Sequence, residues 1–329
     1  NYKSHNEVTT EQIRKDLYWD KFFVNTVDLT NVLSISQHSL LNEYVTNICG
    51  AATVGEAYDL KSYIFEYAET QDKILKFINT GTIDPYCVLW GKKKTQYIKE
   101  NYYQPIIIAS QLQKYSPRRY EQSISKKIVV AGMSLNIEAF YDATGEYIAG
   151  KSTTLILGEE INLKYLLAIL NSKLMGYYLR IVFNSLKMAG GYINFGVNEL
   201  CQIPIASTTN QIKDLIGNLV DYIMFIKEYK ENMSNMISNT IIEDYFNRLL
   251  NGCVYELYFK EHMKELEIDI IDSALELIKP ISQLTTEEDK SEVILNTFMT
   301  IKKTDNPIRN RLDLFTLRSP EILKLIIEG

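Results

Sequence analysis

The chain has 329 residues, of which 46% are hydrophobic and 23% charged, and its formal net charge is −6. This length allows two or three domains with buried cores, and the composition excludes a disordered or fibrous protein. No apolar run approaches the length of about 18 residues that a membrane span needs, and the polar N-terminus has no signal core. These features predict a cytoplasmic protein without a membrane partner.

The first half of the chain has a mixed α/β pattern. A helix is expected over 11–18, with Thr10 as its N-cap, and β-rich runs follow at 63–65, 106–109, Lys127–Ala131 and Thr153–Leu157. The turn-forming sequence from Asp142 to Gly145 predicts that residues 137–157 form a meander of antiparallel strands. Leucine and tyrosine side chains at 3/4 spacing predict a helix over 161–180 whose apolar stripe packs in the core.

After Thr208 the pattern becomes wholly helical. Two long amphipathic helices are predicted, the first over 212–223 and the second over 241–258, and shorter helices over 270–278, 290–301 and 319–327. Ser319 is expected to cap the last of these helices, with Pro320 at its first position. The fold class is therefore α+β: a mixed α/β domain with antiparallel strands over 27–207, followed by an all-helical C-terminal domain over 208–329.

Charge is distributed unevenly along the chain. Residues 92–207 contain 14 Lys/Arg and 8 Asp/Glu and are basic. Residues 1–91 contain 7 Lys/Arg and 12 Asp/Glu, and residues 208–329 contain 14 Lys/Arg and 21 Asp/Glu, so both of these segments are acidic. A basic segment between two acidic flanks suits contact with nucleic acid, because the local field matters more than the total charge. The alternative is a lysine-rich surface with no such partner.

Two basic patches of this segment are candidates for contact with DNA. Lys92 and Lys93 follow the turn-forming run from Thr80 to Trp90, in which we interpret Tyr86 and Trp90 as packing residues. The second patch comprises Arg118, Arg119, Lys126 and Lys127, next to a β-rich run and a glycine. Arginine makes bidentate contacts with guanine or phosphate, although a charged hairpin rim would have the same composition.

Two further candidate segments contain glycine beside polar side chains. Gly150 allows close backbone approach before Lys151 and Ser152, which suit phosphate contact. The pair Gly190-Gly191 frees the backbone between Lys187 on one side and Tyr192 and Asn194 on the other. Asparagine pairs bidentately with adenine, lysine binds phosphate or guanine, and tyrosine stacks or donates a hydrogen bond. The alternative for this segment is a hinge between a helix and a strand, with Tyr192 packed.

Residue types that carry catalysis show no working arrangement. The four cysteines contain no Cys-x-x-Cys pair, and His5, His38 and His262 are scattered, which leaves no local support for a zinc site or a histidine-based triad. No Gly-x-Gly-x-x-Gly sequence or phosphate-binding loop is present. Acidic–lysine pairs such as Asp59 and Lys61 lack an upstream carboxylate that would complete a nuclease metal site. We therefore predict no catalytic, cofactor-binding or metal-binding residue in this chain.

The stretch over 163–205 has an amphipathic helix, a short basic link, Gly190-Gly191, an aromatic extended segment and an Ile-Pro exit. This order resembles the TaqI-like C-terminal specificity domain of adenine-N6 DNA methyltransferases, in the form fused in type IIG restriction–modification enzymes. The run from Thr80 to Gly91 is similar to one in the same domain family, and the resemblance extends loosely to the C-terminus. The chain lacks the Asn-Pro-Pro-Tyr motif that grips a flipped adenine in such methyltransferases.

The resemblance implies a module that recognises a sequence in double-stranded DNA and does not itself methylate or cleave. Residues 1–26 are then a lead-in from an N-terminal methyltransferase region of the same polypeptide, which binds S-adenosylmethionine, with or without Mg²⁺-dependent endonuclease activity. The implied DNA contacts are Lys92, Lys93, Arg118, Arg119, Lys126, Lys151, Ser152, Lys187, Tyr192 and Asn194. Two alternatives remain: a specificity subunit of a multi-subunit restriction system, and either a catalytically active nuclease or a protein-interaction module with no role on DNA.

Overall fold

The computed structural model describes residues 9–15 and 18–329, so part of the predicted lead-in over 1–26 and the end of its helix lie outside the described residues. The β-strands are β1 Ser39–Leu40, β2 Asn47–Gly50, β3 Phe65–Glu66, β4 Ile74–Ile78, β5 Ile83–Asp84, β6 Cys87–Val88, β7 Thr95–Tyr97, β8 Glu100–Tyr102, β9 Pro105–Ile108, β10 Lys127–Ala131, β11 Met133–Ser134, β12 Ala139–Asp142, β13 Tyr147–Ala149, β14 Thr153–Leu157, β15 Ile193–Asn194 and β16 Pro204–Ile205. The α-helices are α1 Thr10–Lys15, α2 Thr26–Ile35, α3 Val54–Lys61, α4 Ala109–Tyr115, α5 Pro117–Ile124, α6 Glu160–Leu170, α7 Lys173–Val182, α8 Val197–Cys201, α9 Asn210–Glu228, α10 Asn239–Tyr258, α11 Lys260–Glu265, α12 Ile271–Leu277, α13 Glu287–Ile301, α14 Pro307–Arg318 and α15 Leu323–Glu328. The predicted α+β class is confirmed.

The chain folds into two compact units that are not continuous in sequence. The sheet unit comprises Leu40–Asn171 and Gly191–Ile203. The helical unit comprises the described residues through Ser39, together with Ser172–Gly190 and Pro204–Gly329. The sequence places its domain limit near residue 208, close to the junction at Pro204, but gives no sign that 172–190 leaves the sheet unit.

Two four-stranded sheets form the framework of the sheet unit. One has the strand order β12-β10-β14-β2 and is antiparallel throughout, with Val129 of β10 opposite both Phe140 and Leu155. The other has the order β13-β4-β9-β3. Buried side chains line the two central strands, β10 and β14, as expected where both faces of a strand are covered.

The predicted meander over 137–157 is wrong in its pairing. Strands β12 and β14 both pair with β10, while β13 leaves that sheet and pairs in parallel with β4, with Ile148 opposite Phe77. The turn before β13 is as predicted: the Asp142 carboxylate accepts the N–H of Gly145 at 2.8 Å, and Gly145 has a φ of 68°. A local turn therefore formed as the residues dictate, but the partner of the next strand lies about 70 residues earlier in sequence and has no local signal.

The helical unit is built on two long helices that the sequence predicts, α9 and α10. Thr209 caps α9 by accepting the N–H of Ile212, and Ser238 caps α10 by accepting the N–H of Ile241. Their apolar faces are buried, including Leu219, Phe246 and other residues of the predicted stripes. No helix within the described part of the chain combines the length and the apolar character that a bilayer crossing needs.

Two helix predictions require correction. The helix expected over 161–180 is divided into α6 and α7, because Ser172 caps a new helix by accepting the N–H of Met175. The helix expected over 319–327 begins later, at Leu323, and Ser319 ends α14 instead of capping α15. The Ser319 hydroxyl nevertheless accepts the N–H of Leu323 and bonds to His262.

Candidate nucleic-acid interface

One edge of the sheet unit brings together segments that are far apart in sequence. Where β10 ends, the N–H of Gly132 donates to the carbonyl oxygen of Ser152 at 2.9 Å. The Thr80 hydroxyl donates to the same carbonyl oxygen at 2.5 Å. These bonds hold the turn 150–152 against the start of β11, which follows Gly132 directly.

The Asn79 side chain links the turn 150–152 to β7 by hydrogen bonds. Its side-chain oxygen accepts the Ser152 hydroxyl hydrogen at 2.5 Å, and its side-chain nitrogen donates to the carbonyl of Gln96 at 3.1 Å. A Cβ atom at Gly150 would lie 2.7 Å from the same Asn79 oxygen, so a larger residue at this position would have to displace the Asn79 side chain. Because its hydroxyl is already bonded within the protein, Ser152 shapes the turn, and Lys151 is exposed beside it.

Lys93 lies near the same edge. Burial raises the pKa of the Glu138 carboxyl, Asp84 adds to that increase, and the charge of Lys93 opposes it. The backbone carbonyl of Glu138 accepts the N–H of Ala131, the last residue of β10. Lys93 and Lys151 therefore both belong to the end of the sheet at which β10 stops, and both are exposed.

The predicted pair Tyr192 and Asn194 reaches this edge through a two-stranded antiparallel ribbon. In the ribbon, β11 pairs with β15, with Met133 opposite Asn194 and Ser134 opposite Ile193. The carbonyl of Gly132 accepts the N–H of Phe195 at 2.8 Å, which ties β15 to the end of β10. We call this arrangement the edge site: Asn79, Thr80, Lys93, the turn 150–152 and the β11–β15 ribbon.

The glycine pair before the ribbon has the backbone freedom that the sequence predicts. Gly190 and Gly191 both have a φ of 82°, in the left-handed region that other residues rarely adopt. The boundary between the two units falls between them. Tyr192 and Asn194 follow the pair and belong to the sheet unit, whereas Lys187 precedes it and belongs to the helical unit.

Arg119 is removed from the predicted DNA contacts, because its side chain is only 7% exposed. Its guanidinium donates two hydrogen bonds to the Glu56 carboxylate, at 2.7 and 3.1 Å. It also donates to the carbonyl of Gly50 and to the side-chain oxygen of Gln122. The Arg119 guanidinium beside Glu56 holds the pKa of that carboxyl at about 2. A charge so enclosed has no surface to present to DNA.

Lys126 is exposed but lies at the opposite end of β10 from the edge site, and it forms an ion pair with Glu160. The next residue, Lys127, is buried and bonds to Asp142 at 2.5 Å and to the carbonyl of Ser123 at 2.6 Å. Burial lowers the pKa of the Lys127 amine, and the Asp142 carboxylate opposes that effect. Two adjacent lysines thus have opposite environments, and neither is brought to the edge site.

The other predicted contacts lie on exposed segments. Arg118 is exposed on α5, and Lys92 is exposed in the loop before β7, one residue before Lys93. Lys187 is exposed in the helical unit, where its amine donates to the side-chain oxygen of Asn184 at 2.8 Å. The contacts of these three residues with DNA remain predictions.

Tyr86 and Trp90 are packing residues. Tyr86 is buried with a φ of 67°, and its N–H donates to the carbonyl of Ala139. The Trp90 indole donates to the carbonyl of Pro105 at 2.8 Å.

Sequence reasoning missed Met133, an exposed apolar side chain of the ribbon, and Leu135, which is exposed directly after β11. All the predicted contacts are charged or hydrogen-bonding side chains, so these two apolar residues were not among them. The available signal was the break at Gly132, after which the alternation of Met133, Ser134 and Leu135 starts a new strand.

The helical unit contains a cavity of about 330 Å³. Its polar groups are largely bonded within the protein: Lys173 donates to the carbonyl of Ile327, and Arg248 to that of Leu312. Asn251 bonds to the backbone of Lys173 and of Asn247. Within residues 9–15 and 18–329, no cluster of His, Cys, Asp or Glu side chains is arranged to hold a metal ion.

Comparison with known proteins assigns one region of the chain. Residues 75–205 match the family of the TaqI-like C-terminal specificity domain. The matched region includes all of the edge site. A comparison with curated proteins gives no match.

Proposed function

We propose that this chain, whose residues 75–205 match the family of the TaqI-like C-terminal specificity domain, recognises a sequence in duplex DNA for a type IIG-like restriction–modification enzyme. In this proposal the chain positions DNA for adenine-N6 methylation, with or without cleavage. S-adenosylmethionine and any Mg²⁺ are bound by a methyltransferase region elsewhere in the same polypeptide. The observation that carries the proposal is the edge site, where exposed cations and a polar–aromatic ribbon meet inside the matched region.

The edge site offers the two kinds of contact that a DNA reader needs. Phosphate contacts fix the position of a protein on the duplex, and base contacts in a groove provide the specificity. Lys151 stands on a turn whose backbone is fixed by Gly132 and Thr80, so its amine extends from a rigid base. Asn194 is exposed on the neighbouring ribbon and has both a donor and an acceptor for a base edge.

Lys93 and Lys92 extend the cationic surface along the loop before β7. Acidic neighbours are present, since Asp84 and Glu138 lie near Lys93. Burial raises the pKa of the Glu138 carboxyl, and the charge of Lys93 opposes that increase. Lys187, on the helical unit, is proposed as a separate phosphate contact.

The proposal is tested by measuring DNA affinity against salt concentration for the chain in its complete natural polypeptide. We expect Lys151→Ala and Lys187→Ala each to weaken binding to all duplex sequences and to lower the slope of log K against log salt by about one. Lys126→Ala is the matched control, because Lys126 is paired with Glu160 at the far end of β10. The absence of salt-dependent duplex binding would contradict the proposal and favour a protein-interaction module.

A further inference from the structure

The ribbon of the edge site has one face that is buried and one that is exposed. Ser134 and Ile193, which stand opposite each other, are 2% and 1% exposed. Met133 and Tyr192 alternate with them along the strands and are 43% and 45% exposed, and Asn194 is also exposed. This alternation is the ordinary period of a strand with one covered face.

Leu135 completes the exposed face. It is 51% exposed, and its Cδ2 atom lies 3.7 Å from where a Cβ atom of Gly191 would stand. Extending the register by two residues sets Leu135 opposite Tyr192. The Met133–Asn194 pair, together with Leu135 and Tyr192 just beyond the paired residues, therefore presents three large apolar or aromatic side chains and one carboxamide.

An exposed apolar group of this kind marks a surface that contacts a partner. The partner indicated here is DNA, because the ribbon begins at Gly132, whose N–H is bonded to the residue after Lys151. In a DNA groove, the apolar face of the ribbon would contact the base edges, and Lys151 on its rigid turn would contact the phosphates that border the groove. The major groove of B-DNA is wide enough for a two-stranded ribbon.

On the basis of the proposed function, we infer that the Met133–Asn194 pair reads an A·T base pair in the major groove. The Asn194 carboxamide would accept a hydrogen bond from adenine N6 and donate one to adenine N7. Met133 would contact the C5-methyl group of the paired thymine, which is the apolar feature of this groove. Side chains directly opposite each other in an antiparallel pair are about 5 Å apart, so one pair of residues can address both bases.

The chemistry of the face disfavours a G·C pair. Guanine presents two acceptors in the major groove, N7 and O6, and is recognised best by a side chain with two donors. Met133 and Leu135 have no donor, and Asn194 has one acceptor that would then face another acceptor. Leu135 and Tyr192 continue the face toward the neighbouring base pair.

The first experiment selects bound duplexes from a random library with the chain in its complete natural polypeptide. We expect a motif containing an A·T position whose preference is lost in Asn194→Ala. In the selected site, 7-deaza-adenine at that position removes one of the two hydrogen bonds and should lower wild-type affinity about 2- to 13-fold. Deoxyuridine in place of thymidine should lower it about fourfold.

Each variant should lose one of these effects. Met133→Ala should no longer distinguish uracil from thymine but should still be sensitive to 7-deaza-adenine, and Asn194→Ala should show the reverse. Lys151→Ala is the control: it should weaken binding to every duplex while keeping both base effects. Since Met133 and Asn194 are exposed, thermal unfolding should show both variants folded, which separates a contact from a loss of structure.

The outcomes separate the inference from the proposed function. If a motif is selected but contains no A·T position, or if both ribbon variants keep both base effects, then the ribbon assignment is overturned while DNA recognition stands. In that case the exposed face covers another protein surface. If the wild type selects no motif and Lys151→Ala changes nothing, then the proposed function fails and the inference falls with it.

Discussion

The N–H of Gly132 donates to the carbonyl oxygen of Ser152 at 2.9 Å, and a Cβ atom on residue 132 would lie only 2.2 Å from that oxygen. The obstructing atom belongs to the backbone, so a rotamer change cannot relieve the clash. Gly132→Ala should therefore lower the free energy of unfolding by about 1–3 kcal/mol and displace the turn that carries Lys151. Urea denaturation measures the change.

The control is Gly81→Ala, because an added Cβ at Gly81 meets nothing within 4 Å. It should leave the denaturation midpoint nearly unchanged. Equal effects of the two substitutions would show that the Gly132–Ser152 contact is not a steric constraint.

The buried pair Lys127 and Asp142 gives a second prediction. Their side chains are 1% and 0% exposed, and the Asp142 carboxylate also accepts backbone N–H groups of the turn before β13. Lys127→Met should cost about 3–5 kcal/mol in unfolding free energy, because it leaves a buried carboxylate without its counter-charge. Lys126→Met removes an exposed ion pair from the adjacent position and should cost about 0–1 kcal/mol. Comparable losses from the two variants, measured by urea denaturation, would contradict the burial of Lys127.

The Arg119–Glu56 pair predicts a dependence of stability on pH. The pKa of Glu56 is about 2 in the folded protein, below its ordinary value of 4.5. A depressed carboxyl pKa stabilises the folded state above pH 4.5, and this contribution is lost as the pH falls toward 2. The difference in unfolding free energy between wild type and Glu56→Gln should therefore be largest near neutral pH and shrink on acidification.

Arg119→Ala is the control for that experiment, since it removes the largest cause of the pKa shift and leaves only the smaller effect of the Thr53 hydrogen bonds. In the Arg119→Ala background, the effect of Glu56→Gln on the unfolding free energy should therefore depend much less on pH. If the difference in unfolding free energy between wild type and Glu56→Gln stays constant from neutral pH to about pH 3, then the pKa of Glu56 is not depressed by Arg119.

A fourth prediction concerns the cofactor of the proposed enzyme. The chain has no glycine-rich cofactor loop and no Asn-Pro-Pro-Tyr sequence. Isothermal titration of the chain with S-adenosylmethionine should therefore give no saturable heat, and the chain should transfer no methyl group to DNA. Stoichiometric binding at micromolar concentration would place the cofactor site within these residues and overturn this part of the proposal.

The four basic residues from Arg118 to Lys127 show where prediction from sequence stops. They share one patch and one residue class, and the sequence treats them as a single basic rim. In the structure Arg118 is exposed, Arg119 and Lys127 are buried, and Lys126 is held by Glu160. The deciding partners, Glu56, Asp142 and Glu160, come from other parts of the chain, so the outcome depends on the tertiary fold.

Local interactions are what the sequence by itself determined. The limits of β10 and β14, the two long helices, the turn ending at Gly145 and the positive φ angles at Gly190 and Gly191 all follow from neighbouring residues. Periodicity, capping and glycine freedom act within a few residues, and those forces can be read along the chain. The family resemblance came from the same local order, and it is matched over 75–205.

Only the tertiary structure decided which strands pair and which side chains meet. The parallel pairing of β13 with β4 brings the turn 150–152 to Asn79, and the β11–β15 ribbon sets Met133 against Asn194. Both are long-range pairings. Their stability depends on packing between distant segments, and the local sequence of one segment does not indicate which other segment it pairs with. For the same reason an apolar residue such as Met133 is exposed while Lys127 is buried: burial is decided by what the rest of the fold places around each side chain.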